Sequence, residues 1–261
     1  MNTDNTKFIF IIPLVAKSRS KDWKHVNYLL GLTVRSIYGQ TNQNFRIIVS
    51  CHDEPDLEKN LKDKIEYVKV DFTPGAPVEN LEGNGQRDRN WKVCHGLVAA
   101  RKYDPDYIMV MDADDWLQKD VVDNILSTQP ENGYFFDKGY ELDYSTGRAY
   151  TRDDMTHLCG STFVLSKDFT YLPKDTSWPE LEKCCWLKQN HKTMKSFAES
   201  RGKSLQEYPG FAITYVVKNG ANIEAKKKTD LKNSIKDIIK YFILGKSFEQ
   251  YYRDFGQHLQ V

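Results

Sequence analysis

Hydrophobic runs and helical periodicities alternate along the N-terminal half of the chain. Residues 8–12 form a continuous apolar run that ends at Pro13, as in a strand buried on both faces. Apolar residues then recur at helical spacing over 26–38, and Gly39 follows as a helix stop. Further strands are predicted at 45–50, 65–70 and 107–111, and helices over 86–102 and 121–126. Strands that alternate with helices predict a parallel, doubly wound sheet.

The second half of the chain has a different pattern. Residues 134–140 and 148–151 flank the turn Ser145-Thr146-Gly147 and predict an antiparallel hairpin. Strands are also predicted at 162–165 and 211–217, and helices over 178–188, 193–200 and 230–244. No internal repeat or low-complexity linker marks a domain boundary.

Composition excludes several classes of protein. The net charge of +1, from 37 basic and 36 acidic residues, gives no reason to expect a nucleic-acid partner. Aromatic residues make up 13% of the chain, which argues against disorder. No apolar run reaches the roughly 18 residues of a membrane-spanning helix, and the run at 8–12 is interpreted as a buried strand rather than a signal peptide. Five cysteines without metal-ligand spacing predict a reducing, cytoplasmic location.

The sequence Asp112-Ala113-Asp114 follows the predicted strand 107–111 directly. Residues two apart on a strand point to the same side, so Asp112 and Asp114 are expected to converge as the chain leaves the sheet. Two neighbouring carboxylates repel each other unless a positive charge lies between them. Mg²⁺ and Mn²⁺ prefer such oxygen ligands and complete their coordination with water and phosphates. The structural alternative is that Asp115 caps a following helix.

The order of these segments resembles the nucleotide-diphospho-sugar transferase (GT-A) fold, and most closely the family 2 glycosyltransferases. The resembling pieces, over about residues 8 to 168, are FIFIIPLV, LTVRSIYGQTNQNFRIIVSCHDEP, RDRN, YIMVMDADDW and CGSTFVLSKD. The resemblance implies an α/β, Rossmann-like GT-A domain with a mixed, mostly parallel sheet, flanking helices and a C-terminal helical tail. It also implies a hexosyltransferase-like enzyme that moves a sugar from a nucleotide-diphospho-sugar donor to a hydroxyl of a glycan or glycolipid acceptor.

The resemblance places donor-binding residues at the strand ends. Pro13 matches the end of the first strand beside the nucleotide base, and Asp53 matches an acid that contacts the base or ribose. The alternative for Asp53 is a turn cap beside Pro55. Asp112 and Asp114 match the acids that bind the Mn²⁺ or Mg²⁺ cofactor, Asp112 often through ribose or water.

Three basic residues cluster at the start of the predicted helix 86–102, namely Arg87, Arg89 and Lys92. A helix N-terminus with Arg and Lys side chains is suited to a diphosphate, although a solvated helix face is the alternative. The pair Arg89-Asn90 also matches an Arg-Asn pair of the family on the helix before the metal strand.

Family 2 enzymes place a catalytic carboxylate in the second half, at the start of a helix, where it takes the proton of the acceptor hydroxyl. Glu180 and Glu182 are the candidates here, with compensation of the helix dipole as the alternative. His191 matches a late histidine that many GT-A enzymes supply to the metal, and its alternative is a packing role. The segment Cys159-Gly160-Ser161-Thr162 falls where the acceptor-side loop of the family lies.

Two features depart from family 2. The stretch from Asn90 to the metal strand is about one helical turn longer than usual. The acid after the second strand stands in Cys51-His52-Asp53-Glu54-Pro55 rather than in a run of acids and serines. The superfamily is therefore better supported than the family.

Other functions predict other motifs. A dinucleotide oxidoreductase needs G-x-G-x-x-G after the first strand, which is absent. A sugar-phosphate nucleotidyltransferase shares the fold but carries a glycine-rich basic loop there, whereas residues 14–19 contain no glycine. A non-catalytic sugar- or nucleotide-binding protein of the same fold stays open as an alternative.

The expected organisation is a single GT-A domain over 1–225 and a helical extension over 226–261. Within the domain, a nucleotide-binding half of about 1–117 precedes an acceptor half of about 118–225. The helix at 230–244 has an apolar stripe and a face with Lys232, Lys236 and Lys240. It is expected to dock on its own domain or on a second subunit of a homo-oligomer, or alternatively on the inner face of a membrane as a peripheral contact.

Overall fold

The computed structural model describes residues 6–74, 87–220 and 246–247. The strands in these residues are, in chain order, β1 (Phe8–Pro13), β2 (Phe45–Cys51), β3 (Ile65–Lys69), β4 (Tyr107–Val110), β5 (Trp116–Leu117), β6 (Gly133–Phe135), β7 (Gly139–Asp143), β8 (Arg148–Arg152), β9 (Phe163–Ser166), β10 (Gln206–Glu207), β11 (Ile213–Val217) and β12 (Lys246–Ser247).

The helices in the same residues are α1 (Trp23–Tyr38), α2 (Arg87–Ala100), α3 (Val121–Thr128), α4 (Met155–Leu158), α5 (Lys167–Thr170), α6 (Trp178–Glu182) and α7 (Met194–Ser200). Short 3-10 turns cover Lys17–Arg19, Lys59–Leu61, Arg101–Tyr103 and Cys185–Lys188. None of the helices among the described residues combines the length and the apolar character needed to cross a bilayer.

Seven strands form the larger sheet, in the order β10-β6-β9-β4-β1-β2-β3. The four strands β3, β2, β1 and β4 are parallel, and β9 runs antiparallel between β4 and β6. The α/β class with a mixed, mostly parallel sheet and flanking helices is thus confirmed. The strand order fits the GT-A fold implied by the sequence.

The central strand β1 explains why the larger sheet is buried on both faces. Phe8, Phe10 and Ile12 pack in one apolar cluster with α1 and α3. Ile9 and Ile11 point the opposite way and pack with α2 and the segment 181–194. The alternation follows from the two-residue period of a strand. Ligands of such sheets bind outside the carboxyl ends of the parallel strands.

The smaller sheet has the order β12-β8-β7-β11-β5. Strand β5 begins one residue after Asp115 and pairs antiparallel with β11. The turn at 112–115 therefore joins the two sheets, with β4 on one side and β5 on the other.

Two predicted elements are wrong as single units. The predicted strand 134–140 is divided between the sheets, because Asp137 leaves the strand to bind Thr156 and Lys195. Only its second part, β7, forms the predicted hairpin with β8. The predicted helix 178–188 breaks at Cys184, whose ψ of 48° is not helical and whose side chain packs in the core.

The predicted helix 230–244 lies outside the described residues, as does most of the extension 226–261. The two residues described there, Lys246 and Ser247, pair antiparallel with β8 and form one edge of the smaller sheet.

Candidate functional site

The turn at 112–115 holds three acids with different environments. The backbone N–H of Met111 donates to Ile11 O at 2.9 Å and keeps the end of β4 beside β1. Asp112 and Asp114 are half-buried, whereas Asp115 is only 1% exposed. Asp112 and Asp114 therefore lie at the carboxyl ends of the parallel strands, whereas Asp115 is buried in the protein.

Asp112 is held by the helix α2 and by the loop before β9. Its Oδ1 accepts hydrogen bonds from Nε and Nη2 of Arg89, both at 2.9 Å. Its backbone N–H donates to Ser161 Oγ at 2.8 Å. A Cβ at Gly160 would lie 3.0 Å from Asp112 Oδ2 and 3.4 Å from Arg89 Nη2. Glycine at this position lets the loop close over the ion pair.

Asp114 faces the end of β11. Its Oδ2 accepts a hydrogen bond of 2.8 Å from Nδ2 of Asn219. Burial and the neighbouring Asp112 carboxylate raise the pKa of Asp114 to about 6, although the hydrogen bond from Asn219 acts in the opposite direction. The ionised form of Asp114 is thus costly for the protein alone.

Asp115 has a structural role. Its Oδ2 accepts from Ser161 Oγ at 2.6 Å and from Cys159 Sγ at 3.1 Å, and its Oδ1 from Val216 N at 3.4 Å. Burial, and then the charges of Asp114 and Asp112, raise the pKa of Asp115 well above its usual value. The alternative prediction that Asp115 caps a helix is wrong, because β5 follows it and Asp120 stands at the N-terminus of α3.

A cavity of about 410 Å³ lies at the carboxyl ends of β2 and β3. Its lining residues are Lys17, Trp23, Cys51, His52, Asp53, Glu54, Tyr67 and Lys69. Asp53 is fixed there because its Oδ2 accepts a hydrogen bond of 2.9 Å from Lys17 N. Pro13, the last residue of β1, pairs in register with Ser50 of β2 at the same end of the sheet.

Arg89 and Lys92, the two basic residues of α2 whose side chains the structure describes, bind different acids. Arg89 reaches Asp112, as described. Lys92 is 1% exposed and its Nζ lies 2.5 Å from Oδ2 of Asp88, so its ammonium is turned into the protein. Arg87 is the first residue of α2, and its side chain lies outside the described part of the structure. Asn90 donates to Leu187 O at 2.8 Å and ties α2 to the turn Cys185–Lys188.

Glu180 is engaged by its own neighbourhood. It is 9% exposed, and its carboxylate accepts from Lys183 Nζ at 2.5 Å, Lys174 N at 2.8 Å and Tyr171 Oη at 2.9 Å. These partners, first the hydrogen bond from Lys183, lower the pKa of Glu180 to about 2. An acid with so low a pKa is a weak proton acceptor. Glu182 is exposed on the same short helix.

His191 is oriented by the carbonyl of Thr156, which accepts a hydrogen bond of 2.7 Å from Nδ1. Across the described ranges, no group of three or more His, Cys, Asp or Glu side chains could hold a metal ion. Asp112, Asp114 and His191 do not form such a group, and Nδ1 of His191 faces the carbonyl of Thr156 in α4. The role of His191 as a metal ligand stays a prediction.

Two residues of this site were missed from the sequence. The sequence patterns assigned no site role to Asn219, in the turn after β11, or to His25, near the start of α1. In the structure His25 Nε2 lies 2.5 Å from the carbonyl oxygen of Asn219, whose side chain binds Asp114. A polar residue at the end of a strand was the only available signal, because 105 positions separate Asn219 from Asp114.

No protein-family model and no protein of curated function matches the sequence. Among solved structures, the chain is similar to S. aureus TarS, with a TM-score of 0.47 and 13% identity over 81% of this chain and 37% of that chain. A structure of S. aureus TarS 1-349 gives a TM-score of 0.43 and 10% identity, over 80% of this chain and 60% of that one. The chain thus spans less than two thirds of either neighbour.

Proposed function

We propose that this protein is a glycosyltransferase that moves a sugar from a nucleotide-diphospho-sugar donor to a hydroxyl acceptor. The observation that carries the proposal is the pair of acids Asp112 and Asp114. They follow β4 at the carboxyl ends of the parallel strands, and Asp112 binds Arg89. Ligands of open α/β sheets bind outside the carboxyl ends of the strands.

The cavity at β2 and β3 is the proposed nucleoside site. Its volume of about 410 Å³ falls in the range of small-molecule sites. Trp23 and Tyr67 supply aromatic surface for a base, and the fixed carboxylate of Asp53 supplies acceptors for N–H or ribose O–H groups. Pro13 ends β1 at the same edge. Comparison of four nucleoside diphosphates in a thermal-shift experiment identifies the base.

A divalent cation fits the acids of the turn. Burial and then the neighbouring Asp112 raise the pKa of Asp114, so a cation bound by the two carboxylates would stabilise the ionised form of Asp114. Mg²⁺ is commonly held by one or two carboxylates and completed by phosphates and water, so two acids suffice. Asp114, and Asp112 directly or through water, would hold Mn²⁺ or Mg²⁺. The cation would supply Lewis-acid stabilisation of the departing diphosphate.

Arg89 contributes charge at the same place. Departure of a nucleoside diphosphate from the sugar develops negative charge on a phosphate oxygen. A guanidinium that is already oriented by Asp112 can stabilise that charge without reorganising at the moment of reaction. The buried ammonium of Lys92 and the undescribed side chain of Arg87 are not assigned roles in this step.

The second half of the chain supplies the acceptor side in this proposal. The segment after α6 is tied to α2 through Asn90, one residue from Arg89. Because the partners of Glu180 make it a weak base, Glu182 is the remaining candidate of the two for taking the proton of a glycan or glycolipid hydroxyl. The engagement of Glu180 also favours the second candidate function, a non-catalytic nucleotide- or sugar-binding protein.

A thermal-shift experiment with UDP, GDP, CDP and dTDP, each with and without Mn²⁺, tests the proposal. One nucleotide at about 100 times its Kd should raise Tm by about 5–10 °C, and only when Mn²⁺ is present. Release of that nucleotide from its sugar conjugates then separates an enzyme from a binding protein. Stabilisation by none of the four diphosphates with Mn²⁺ would contradict the donor class.

A further inference from the structure

We propose that Asn219 is a positioning residue that orients the carboxylate of Asp114, and that His25 holds Asn219 in place. The inference rests on the proposed function and deepens it, because it adds a residue of α1 and a residue of the turn after β11 to the proposed metal site. Asn219 is 3% exposed, and its Nδ2 donates to Asp114 Oδ2 at 2.8 Å.

The backbone around Asn219 is fixed by its turn. Lys218 has a φ of 56° and Gly220 a φ of 82°, both in the left-handed region. Lys218 is anchored in this conformation by an ion pair, because its Nζ lies 2.9 Å from Oδ2 of the buried Asp143. Asn219 Nδ2 also lies 3.4 Å from the carbonyl oxygen of Val216. These contacts aim the amide of Asn219 back at the end of β4.

His25 supports the same turn from the first turn of α1. A carbonyl oxygen can only accept, so the contact of 2.5 Å between His25 Nε2 and Asn219 O requires the hydrogen on Nε2. The ring is stacked on Tyr28 at 6.4 Å and meets the edge of Tyr144 at 6.1 Å. Asp22 caps α1 by accepting from His25 N at 3.0 Å, which fixes the backbone of the histidine.

The chemical consequence concerns the orientation of Asp114. An amide donor on Oδ2 fixes the rotation of the carboxyl group and so fixes where Oδ1 points. Partners that orient metal-binding carboxylates in this way are worth about 10–100-fold in metal affinity. Loss of Asn219 should therefore weaken the affinity for Mn²⁺ without removing a ligand.

The test is a Mn²⁺ titration of the full chain at a saturating concentration of the nucleoside diphosphate that stabilises the wild type. In Asn219→Ala the Mn²⁺ concentration for half-maximal stabilisation should rise about 10–100-fold, and excess Mn²⁺ should restore the full shift. Asp114→Ala should not recover at any Mn²⁺ concentration. His25→Ala should give a smaller increase than Asn219→Ala.

Two further variants keep the test decisive. Asn219→Leu removes the donor but keeps the branched shape of the side chain, and it replaces Asn219→Ala if that variant does not fold. Asn124→Ala removes a comparable amide hydrogen bond of 2.8 Å, to Tyr208 Oη, and should leave the Mn²⁺ requirement unchanged. If folded Asn219 variants need no more Mn²⁺ than the wild type while Asp114→Ala is not stabilised, the positioning role of Asn219 is overturned and the metal role of Asp114 stands. Absence of any Mn²⁺-dependent stabilisation in the wild type would overturn the proposed function as well.

Discussion

Two acidic segments of this molecule, the turn at 112–115 and the helix α6, use the same chemical group in opposite ways. In α6 the carboxylate of Glu180 accepts from an ammonium, a backbone N–H and a hydroxyl within 2.9 Å. In the turn, Asp114 lies beside another acid and accepts a hydrogen bond from the amide of Asn219. Acids at the start of a helix and acids at the end of a strand therefore differ in what surrounds them.

The difference appears in the pKa values. The partners of Glu180 lower its pKa to about 2, whereas burial and Asp112 raise the pKa of Asp114 to about 6. The protein itself stabilises the ionised form of Glu180 and destabilises that of Asp114. Only the second arrangement gains from a bound cation, so the turn is where a ligand is expected.

The largest effect on turnover is expected for Asp114→Ala. Loss of this carboxylate should reduce Mn²⁺-dependent turnover of a nucleotide sugar by about 10³-fold or more, because the cation contributes several kcal/mol to charge stabilisation. The fold should persist, since relief of the repulsion with Asp112 offsets the loss of the hydrogen bond from Asn219. Turnover measured over a series of Mn²⁺ concentrations checks the loss of activity, and circular dichroism checks the fold. Full activity of a folded Asp114→Ala protein would rule out the metal assignment.

Asp115 sharpens the comparison inside the turn itself. Asp115→Ala leaves Ser161 Oγ and Val216 N without their acceptor, at about 1–3 kcal/mol for each buried group. The free energy of unfolding should fall by about 2–4 kcal/mol. Denaturant unfolding of the two proteins measures this change.

Asp115→Asn provides the matched control, because the raised pKa of Asp115 means that its site tolerates a neutral group. Asn keeps the shape and an acceptor oxygen, and it should cost less than about 1 kcal/mol. Equal destabilisation by Asn and Ala would show that the charge of Asp115, rather than its hydrogen bonds, holds the two sheets together.

The sequence predicted the parts of the fold that depend on local pattern. The alternation of β1, the helical spacing of α1 and its end at Gly39 each require only neighbouring residues. The sequence failed where tertiary contacts decide. Residues 134–140 read as one strand because nothing in that stretch reveals that Asp137 binds Thr156 and Lys195.

The candidate site shows the same limit. The spacing of Asp112 and Asp114 was visible in the chain, but the partners of these acids were not. Lys92 and Arg89 lie one helical turn apart, yet one pairs with the nearby Asp88 and the other with Asp112, 23 residues away. Which basic side chain of α2 reaches the end of β4 depends on rotamers and packing that the residue types alone do not determine.

The smallest effect is expected for Glu180→Gln, which tests whether α6 is structural at this position. Turnover should change by less than about twofold, because a carboxylate with a pKa of about 2 gives little general-base catalysis. Glu182→Gln, in the same helix, is the matched variant and should lower turnover by about 10²-fold or more if Glu182 takes the acceptor proton. A loss of that size in Glu180→Gln instead would assign the base to Glu180.

The stability of Glu180→Gln should also depend on pH with a defined sign. The pKa of Glu180 is lower in the folded protein than the ordinary value of 4.5, so the ionised form stabilises the fold. The wild type should be slightly more stable than Glu180→Gln at all pH values above about 5. The difference should disappear as the pH falls towards about 2, where the folded state also takes up the proton. Parallel denaturant titrations of both proteins over this range measure the difference, and a gap that widens towards low pH would contradict the ion pair with Lys183.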